Sequence, residues 1–228
     1  MTKTKGFAIA IDGPVGVGKS TTARLVAQKL GMIYIDTGAM YRAVAYYNMK
    51  QKIDLTNSTK LAESMKKIHI ALTHISGEQR VYLNGEDITN EIRTQEISNN
   101  TSVVAAHKTV REHLVAQQEK MAETGKIVMD GRDIGSQVLP WAQVKIYLDA
   151  AIETRAARRQ ADLEAKGQEA IYACILEETK IRDHRDKTRQ ISPLVQAPDA
   201  IYIDNSNLTT EEVAEQIVSH ANTALNKI

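Results

Sequence analysis

Three observations predict an α/β fold built on a parallel sheet. Five short apolar runs recur along the 228 residues: "FAIAID", "MIYID", "IVMD", "VKIYLD" and "AIYID". Each ends in an aspartate: Asp12, Asp36, Asp130, Asp149 and Asp204. Amphipathic helical patterns separate most of them, and strands alternating with helices build a parallel sheet with helices on both faces. The first run also leads through "GPVGVGKS" into "TTARLVAQKL", a strand, a glycine-rich turn and a helix in sequence.

The elements follow in order. The opening apolar run ends in Asp12-Gly13 and reads as a strand rather than as a secretory signal. In the first helix, Ala23, Val26, Ala27 and Leu30 share one face, and Gly31 is placed as the residue that ends it. Between the second and third runs, Ile68, Ile70 and Leu72 alternate, and "SGEQ" and Asn84-Gly85 fall at turn spacing. That pattern predicts a small antiparallel meander over about 66–90, inserted into the α/β frame. At the other end, Thr209 and Glu212 form a capping-box pair ahead of Val213, Ile217, Ala221, Ala224 and Leu225 on one helical face. The strand-end aspartates admit two readings: turn or N-cap residues, or groups facing a ligand beyond the carboxyl edge of the sheet.

Composition narrows the class. Lys and Arg total 29, Asp and Glu 28, for a net charge of +1. No global field draws the chain onto nucleic acid or an anionic membrane. A single cysteine, Cys174, allows no internal disulfide and fits a reduced compartment. No run reaches the roughly 18 apolar residues of a membrane helix. A cytoplasmic protein that engages neither nucleic acid nor membrane is expected.

Gly13, Gly18, Lys19 and Ser20 satisfy G-x-x-x-x-G-K-[ST] in the strand–helix context the motif requires. Glycines let the backbone turn its N–H groups toward phosphate oxygens, and the helix start adds its positive dipole end. Lys19 is expected at the β- and γ-phosphates and the Ser20 hydroxyl on Mg²⁺. The loop alone does not separate a switch, a motor and a small-molecule kinase. A second anion site would, and arginine marks one. Between 155 and 189 stand Arg155, Arg158, Arg159, Arg182, Arg185 and Arg189, half of the twelve arginines, against three lysines. Elsewhere lysine outnumbers arginine fourteen to six. Arginine's planar fork suits phosphate, so the local swap points to anion clamping, with a charged solvated face as the competing reading.

"GPVGVGKST", "IDTGAMYRA", "EIRTQEISNNTSVVA", "VREHL", "MDGRDIG", "VKIYLDA", "RAARR" and "RDHRDKTRQISPL" together resemble the bacterial cytidylate kinases, essentially end to end. The resemblance implies the P-loop nucleoside-monophosphate-kinase fold: a five-stranded parallel core (1–37, 101–154 and 171–228), an acceptor domain near 38–100 holding the meander, and a short lid near 155–170. It implies transfer of the ATP γ-phosphoryl group to CMP or dCMP, giving CDP or dCDP and ADP, in pyrimidine nucleotide metabolism, by a monomer that uses Mg²⁺.

The resemblance also implies roles. Gly13, Pro14, Val15, Gly16, Val17, Gly18, Lys19, Ser20 and Thr21 would hold ATP, with Arg155, Arg158 and Arg159 reaching its phosphates as the lid closes. Arg42, Arg132 and Arg189 would hold the CMP phosphate. Ser102, Arg111 and Asp133 would read cytosine, and Arg182 and Asp186 would meet the sugar. Asp36, Thr37, Tyr41 and Asp130 complete the acceptor set. Lys19, Arg132, Arg158 and Arg189 would carry the catalysis, and Asp130 could hold Mg²⁺ through water or serve as a structural cap. Competing readings are another acceptor (UMP, AMP or a small acid such as shikimate), a P-loop transferase acting on a nucleic-acid base, and a nucleotide sensor.

Overall fold

All five residues of β1 (Ala8–Asp12) are buried, as a central strand with neighbours on both edges requires. The computed structural model describes residues 6–227 except 76, 124 and 166, so positions 1–5, 124 and 228 of the expected core, Ser76 of the expected meander and Lys166 of the expected lid lie outside it. β1 pairs in parallel with β6 (Ile127–Gly131) on one side and β7 (Val144–Asp149) on the other. β7 in turn pairs in parallel with β8 (Ile201–Asp204), and β2 (Ile33–Asp36) lies outside β6. The order is β2-β6-β1-β7-β8, the five-stranded α/β sheet the apolar runs predict. The chain leaves β1 between β6 and β7, where connections diverge to opposite sides, and that is where open α/β sheets bind ligands.

α1 (Lys19–Leu30) follows the loop and ends on Gly31 at φ 60°, as expected. Its Ala23, Val26 and Ala27 are fully or nearly fully buried against β1 residues Ile9 and Ile11 and against Val213, Ile217 and Ala221 of α8 (Thr210–Leu225). The Thr209–Glu212 capping box is present at the start of α8. α6 (Ile152–Glu164) and α7 (Tyr172–Thr188) share a small apolar cluster of Ala156, Leu163 and Ile175.

The chain divides into two compact units, Met1–Tyr34 with Ala122–Ile228, and Ile35–Met121. The second has its own core, with Met40, Leu61, Val81, Ile88, Ile92, Val104 and Leu114 among its buried members. It contains α2 (Thr37–Lys50), α3 (Ser58–Met65), the antiparallel strands β3 (Ile70–Ile75), β4 (Glu78–Leu83) and β5 (Glu86–Asp87), and α4 (Gln95–Val104) and α5 (Lys108–Met121). Asn84 and Gly85 turn β4 into β5 with φ of 51° and 88°, the paired left-handed conformations of a tight hairpin. The unit is wider than the 38–100 segment expected from sequence. Residues 101–121 join it because Val104, Val110 and Leu114 bury their side chains in the same core as Met40 and Leu61.

Candidate active site

The phosphate loop is built on backbone that only glycine adopts freely: Gly16 and Gly18 have φ of 74° and 91°. A Cβ at Gly13 would stand 2.0 Å from the Leu148 carbonyl oxygen, so the chain leaves β1 hard against β7. Lys19 opens α1 almost fully buried, and its Nζ donates to the Pro14 carbonyl at 2.6 Å. Burial pushes the Lys19 ammonium well below the usual lysine range, and the Arg132 charge adds to this; Asp130, Asp186 and Asp12 oppose it.

Oxygen donors gather beside the loop. Ser20 Oγ donates to Asp130 Oδ2 at 2.9 Å, and the Tyr34 hydroxyl donates to Asp130 Oδ1 at 2.8 Å. Asp130 lies inside β6, so the structural-cap reading does not describe it. Asp36 does cap a helix: its carboxylate accepts from the Ala39 N–H at the start of α2. Asp149 and Asp204 are local turn residues, accepting from Ala150 N–H and from Ser206.

"MDGRDIG" runs from β6 into a π-helical turn, Ile134–Val138. Its arginine and aspartates join α7 and the segment after it through two ion pairs. Arg132 Nε meets Asp186 Oδ2 at 2.7 Å, and Arg189 Nη2 meets Asp133 Oδ1 at 3.3 Å. Burial would raise the Asp186 carboxyl, but Arg132, with Arg189 and Arg182, outweighs it and holds Asp186 below the usual range. The structure thus brings together six expected residues, Lys19, Ser20, Asp130, Arg132, Asp186 and Arg189, with Arg182 close enough to act on Asp186.

Asp12 belongs to the same assembly and was not among the expected site residues. Its carboxylate accepts the Ile134 and Gly135 N–H groups at 2.8 and 2.7 Å, tying the end of β1 to the π turn. Burial, with the Asp133 charge, pushes Asp12 up to about 7, against those two N–H groups and Lys19. Folded protein therefore holds a proton on Asp12 between about pH 4 and 7 that the unfolded chain, at an ordinary 3.8, releases. This term makes stability fall as pH rises through that window. Asp12→Asn is expected to flatten it, read as urea midpoints at pH 5 and pH 8. An unchanged difference between the two midpoints would remove Asp12 as its source.

The three arginines of the expected lid do not share one fate. Arg155 is buried, with Nε on the Ala150 carbonyl at 3.0 Å and Nη1 on the Val15 carbonyl at 2.9 Å. Arg158 holds Asn205 through its Oδ1 and backbone oxygen, at 3.0 and 2.7 Å. Arg159 is partly exposed.

In the second unit, Arg42 and Arg93 both face the Asp36 carboxylate, at 3.6 and 3.4 Å. Gln79 of β4 accepts the Asp36 N–H at 2.9 Å. Arg93 stands in the "EIRT" stretch, and neither it nor Gln79 was picked out by residue. Arg111 lies over the Tyr41 ring, 5.5 Å from its centroid. Ser102 is buried on α4 and donates to the Asn99 carbonyl, and Thr37 is buried in the first turn of α2.

A sequence model of the cytidylate kinase family matches residues 9–223. The chain belongs to the cytidylate kinase family. It is 49% identical to the cytidylate kinase of Bacillus subtilis over 214 residues, 94% of this chain and 96% of that one. It is 46% identical to the cytidylate kinase of Bacillus cereus over 215 residues, again 94% of this chain and 96% of that one. Among solved structures, an uncharacterized protein from Eubacterium ventriosum aligns with a TM-score of 0.51 at 13% identity, over 96% of this chain and 99% of that one, a likeness of fold alone. The matched span includes the loop, the "MDGRDIG" cluster and α7, so every ion pair described above lies within the cytidylate kinase match. Among the described residues, no helix is long and apolar enough to cross a membrane.

Proposed function

We propose that this chain transfers the γ-phosphoryl group of ATP to CMP or dCMP, giving CDP or dCDP and ADP. The observation that carries the reading is a phosphate loop set beside arginines paired to buried carboxylates, in a chain of the cytidylate kinase family. Phosphoryl transfer asks little covalent chemistry of a protein; it asks that two anions be aligned and their charge neutralised. Lys19 and the loop amides serve the donor, with Arg158 and Arg159 of α6 as the arginines nearest the loop left to meet its phosphates. Arg42, Arg132 and Arg189 hold the acceptor phosphate. That phosphate is already a nucleophile near neutral pH, its second pKa being about 6, so no strong general base is needed.

Ser20 and Asp130 are oxygen donors 2.9 Å apart, suited to a hard cation. Mg²⁺ would be held by the Ser20 hydroxyl, with Asp130 through water, and would neutralise phosphate charge.

For the base, Asp133 offers an acceptor to the cytosine amino group, with the Ser102 hydroxyl. Arg111 offers a donor to N3 or O2. Arg189, on the Asp133 carboxylate at 3.3 Å, fixes that group's orientation. Uracil would put a carbonyl against Asp133, acceptor to acceptor, which a hydrogen-bonding site rejects by several kcal/mol. The test is a panel of CMP, dCMP, UMP and AMP with ATP, following ADP release. CMP and dCMP are expected to lead. Asp133→Ala is expected to narrow the CMP-to-UMP ratio of kcat/KM by at least about tenfold. Strong turnover of AMP, or an unchanged ratio, would count against the assignment.

A further inference from the structure

The back of the phosphate loop is held by side chains from three separate places in the chain. At its tip, Val15 is gripped on both backbone groups. Its N–H donates to Asp183 Oδ1 at 3.2 Å, and its carbonyl accepts from Arg155 Nη1 at 2.9 Å. Arg155 and Asp183 close the circuit with a 2.7 Å ion pair, both side chains being more than nine-tenths buried. The Arg155 Nε bond to the Ala150 carbonyl fixes the guanidinium plane. Two residues on, Asn205 Nδ2 donates to the Val17 carbonyl at 2.7 Å, and Asn205 is itself held by Arg158 and by its own N–H on the Asp149 carbonyl at 2.8 Å. A Cβ at Gly16 would stand 3.4 Å from the Arg155 carbonyl oxygen, so the loop lies directly on α6.

We propose that Arg155, Asp183 and Asn205 are positioning residues of the phosphate loop. They hold its carbonyls outward so that its following amides face a nucleotide's phosphates before one arrives. A glycine-rich loop is intrinsically free, and ordering it at the moment of binding would cost affinity; a loop fixed in advance avoids that cost. Charge explains the pairing. A bare Asp183 carboxylate at the loop tip would repel the triphosphate, and Arg155 neutralises it. Arg155 thus acts through the loop backbone, whereas the family resemblance would have it reach the phosphates itself.

The activity arm of the test rests on the kinase reading; the binding arm does not. Arg155→Met, Asp183→Asn and Asn205→Asp are compared with the unaltered chain. Affinity for a fluorescent ATP analogue is measured without acceptor, together with Tm and the KM values for ATP and CMP. Arg155→Met leaves Asp183 unneutralised, and Asn205→Asp cannot donate to the Val17 carbonyl. Each is expected to weaken analogue binding and raise the ATP KM by about tenfold, leaving the CMP KM within about twofold. Asp183→Asn keeps an oxygen for the Val15 N–H and is expected to cost about threefold. Adding it to Arg155→Met is expected to restore part of the lost affinity, since the uncompensated charge goes.

Analogue affinity within twofold of the unaltered chain in every variant, with only Tm lowered, would reduce the three residues to structural packing and overturn the proposal. An ATP KM and a CMP KM rising in step would overturn it equally. If Arg155→Met does not fold, Asn205→Asp carries the test. Absence of CMP-dependent ADP release from the unaltered chain would defeat the kinase reading and leave the binding arm to decide this one.

Discussion

Lys19→Met is expected to lower kcat by about three orders of magnitude and, at the same time, to raise Tm. Both halves follow from where the lysine sits. Nζ is buried at the first turn of α1, bonded to the Pro14 carbonyl at 2.6 Å. Burial and the neighbouring Arg132 press against its charge, and three aspartates hold the charge in place. A cation kept in such a site at a stability cost is poised for charge that develops elsewhere, here on the phosphoryl group in transit. Removing a preorganised charge at that point typically costs a hundredfold to a thousandfold or more in rate. Methionine keeps much of the volume and drops the buried charge, so the folded state gains what the active site loses. The measurement is kcat at saturating ATP and CMP beside a thermal melt. A kcat within tenfold of the unaltered chain would remove Lys19 from the transfer step; a lower Tm would show that the ammonium is a structural tether to Pro14.

Much of this arrangement was legible before the structure. The three central runs, β1, β6 and β7, were legible because a doubly covered parallel strand must be apolar throughout; the edge runs β2 and β8, where Ile33 and Tyr202 are exposed, were legible from their alternation with helices. Gly31, the Thr209–Glu212 pair and Asn84-Gly85 were legible because caps and tight turns are decided by residues next to one another. Tertiary pairing was not. Asp183 reads as one more acid in a charged helix until Val15, 168 positions earlier, is placed against it. Tyr34 gives no local sign that its hydroxyl will orient Asp130. Arg155 carries the right residue type for a phosphate contact, and only the buried Asp183 beside it reassigns its donors. Which unit a helix joins is likewise a tertiary matter. Val104 of α4 and Leu114 of α5 are buried in one cluster with Met40 and Leu61, contacts that no local pattern announces.

Arg132→Ala is the second large effect, and pH separates its two components. Arg132 pairs with Asp186 at 2.7 Å, with the arginine side chain 22% exposed and the aspartate 7%. Loss of the guanidinium from the acceptor phosphate is expected to lower kcat/KM for CMP by about a hundredfold to a thousandfold. It also strands Asp186. Breaking a fully buried pair costs about 3–5 kcal/mol; partial exposure of Arg132 and the nearby Arg189 and Arg182 reduce this to about 2 kcal/mol. In the unaltered chain Asp186 is held below its usual range, so the pair's contribution is present above about pH 4 and fades as pH falls. In the variant the largest charge opposing burial is gone, so burial pushes the carboxyl up and Asp186 takes up a proton more readily as pH falls. The stability difference between the two proteins should therefore be larger at pH 7 than at pH 5, read from urea midpoints. Arg132→Ala with Asp186→Ala should recover much of the stability and none of the activity, because the charge is no longer stranded while the anion clamp is still gone. Equal losses at both pH values, or a double variant less stable than the single one, would show that Arg132 supports the fold through packing rather than through its charge.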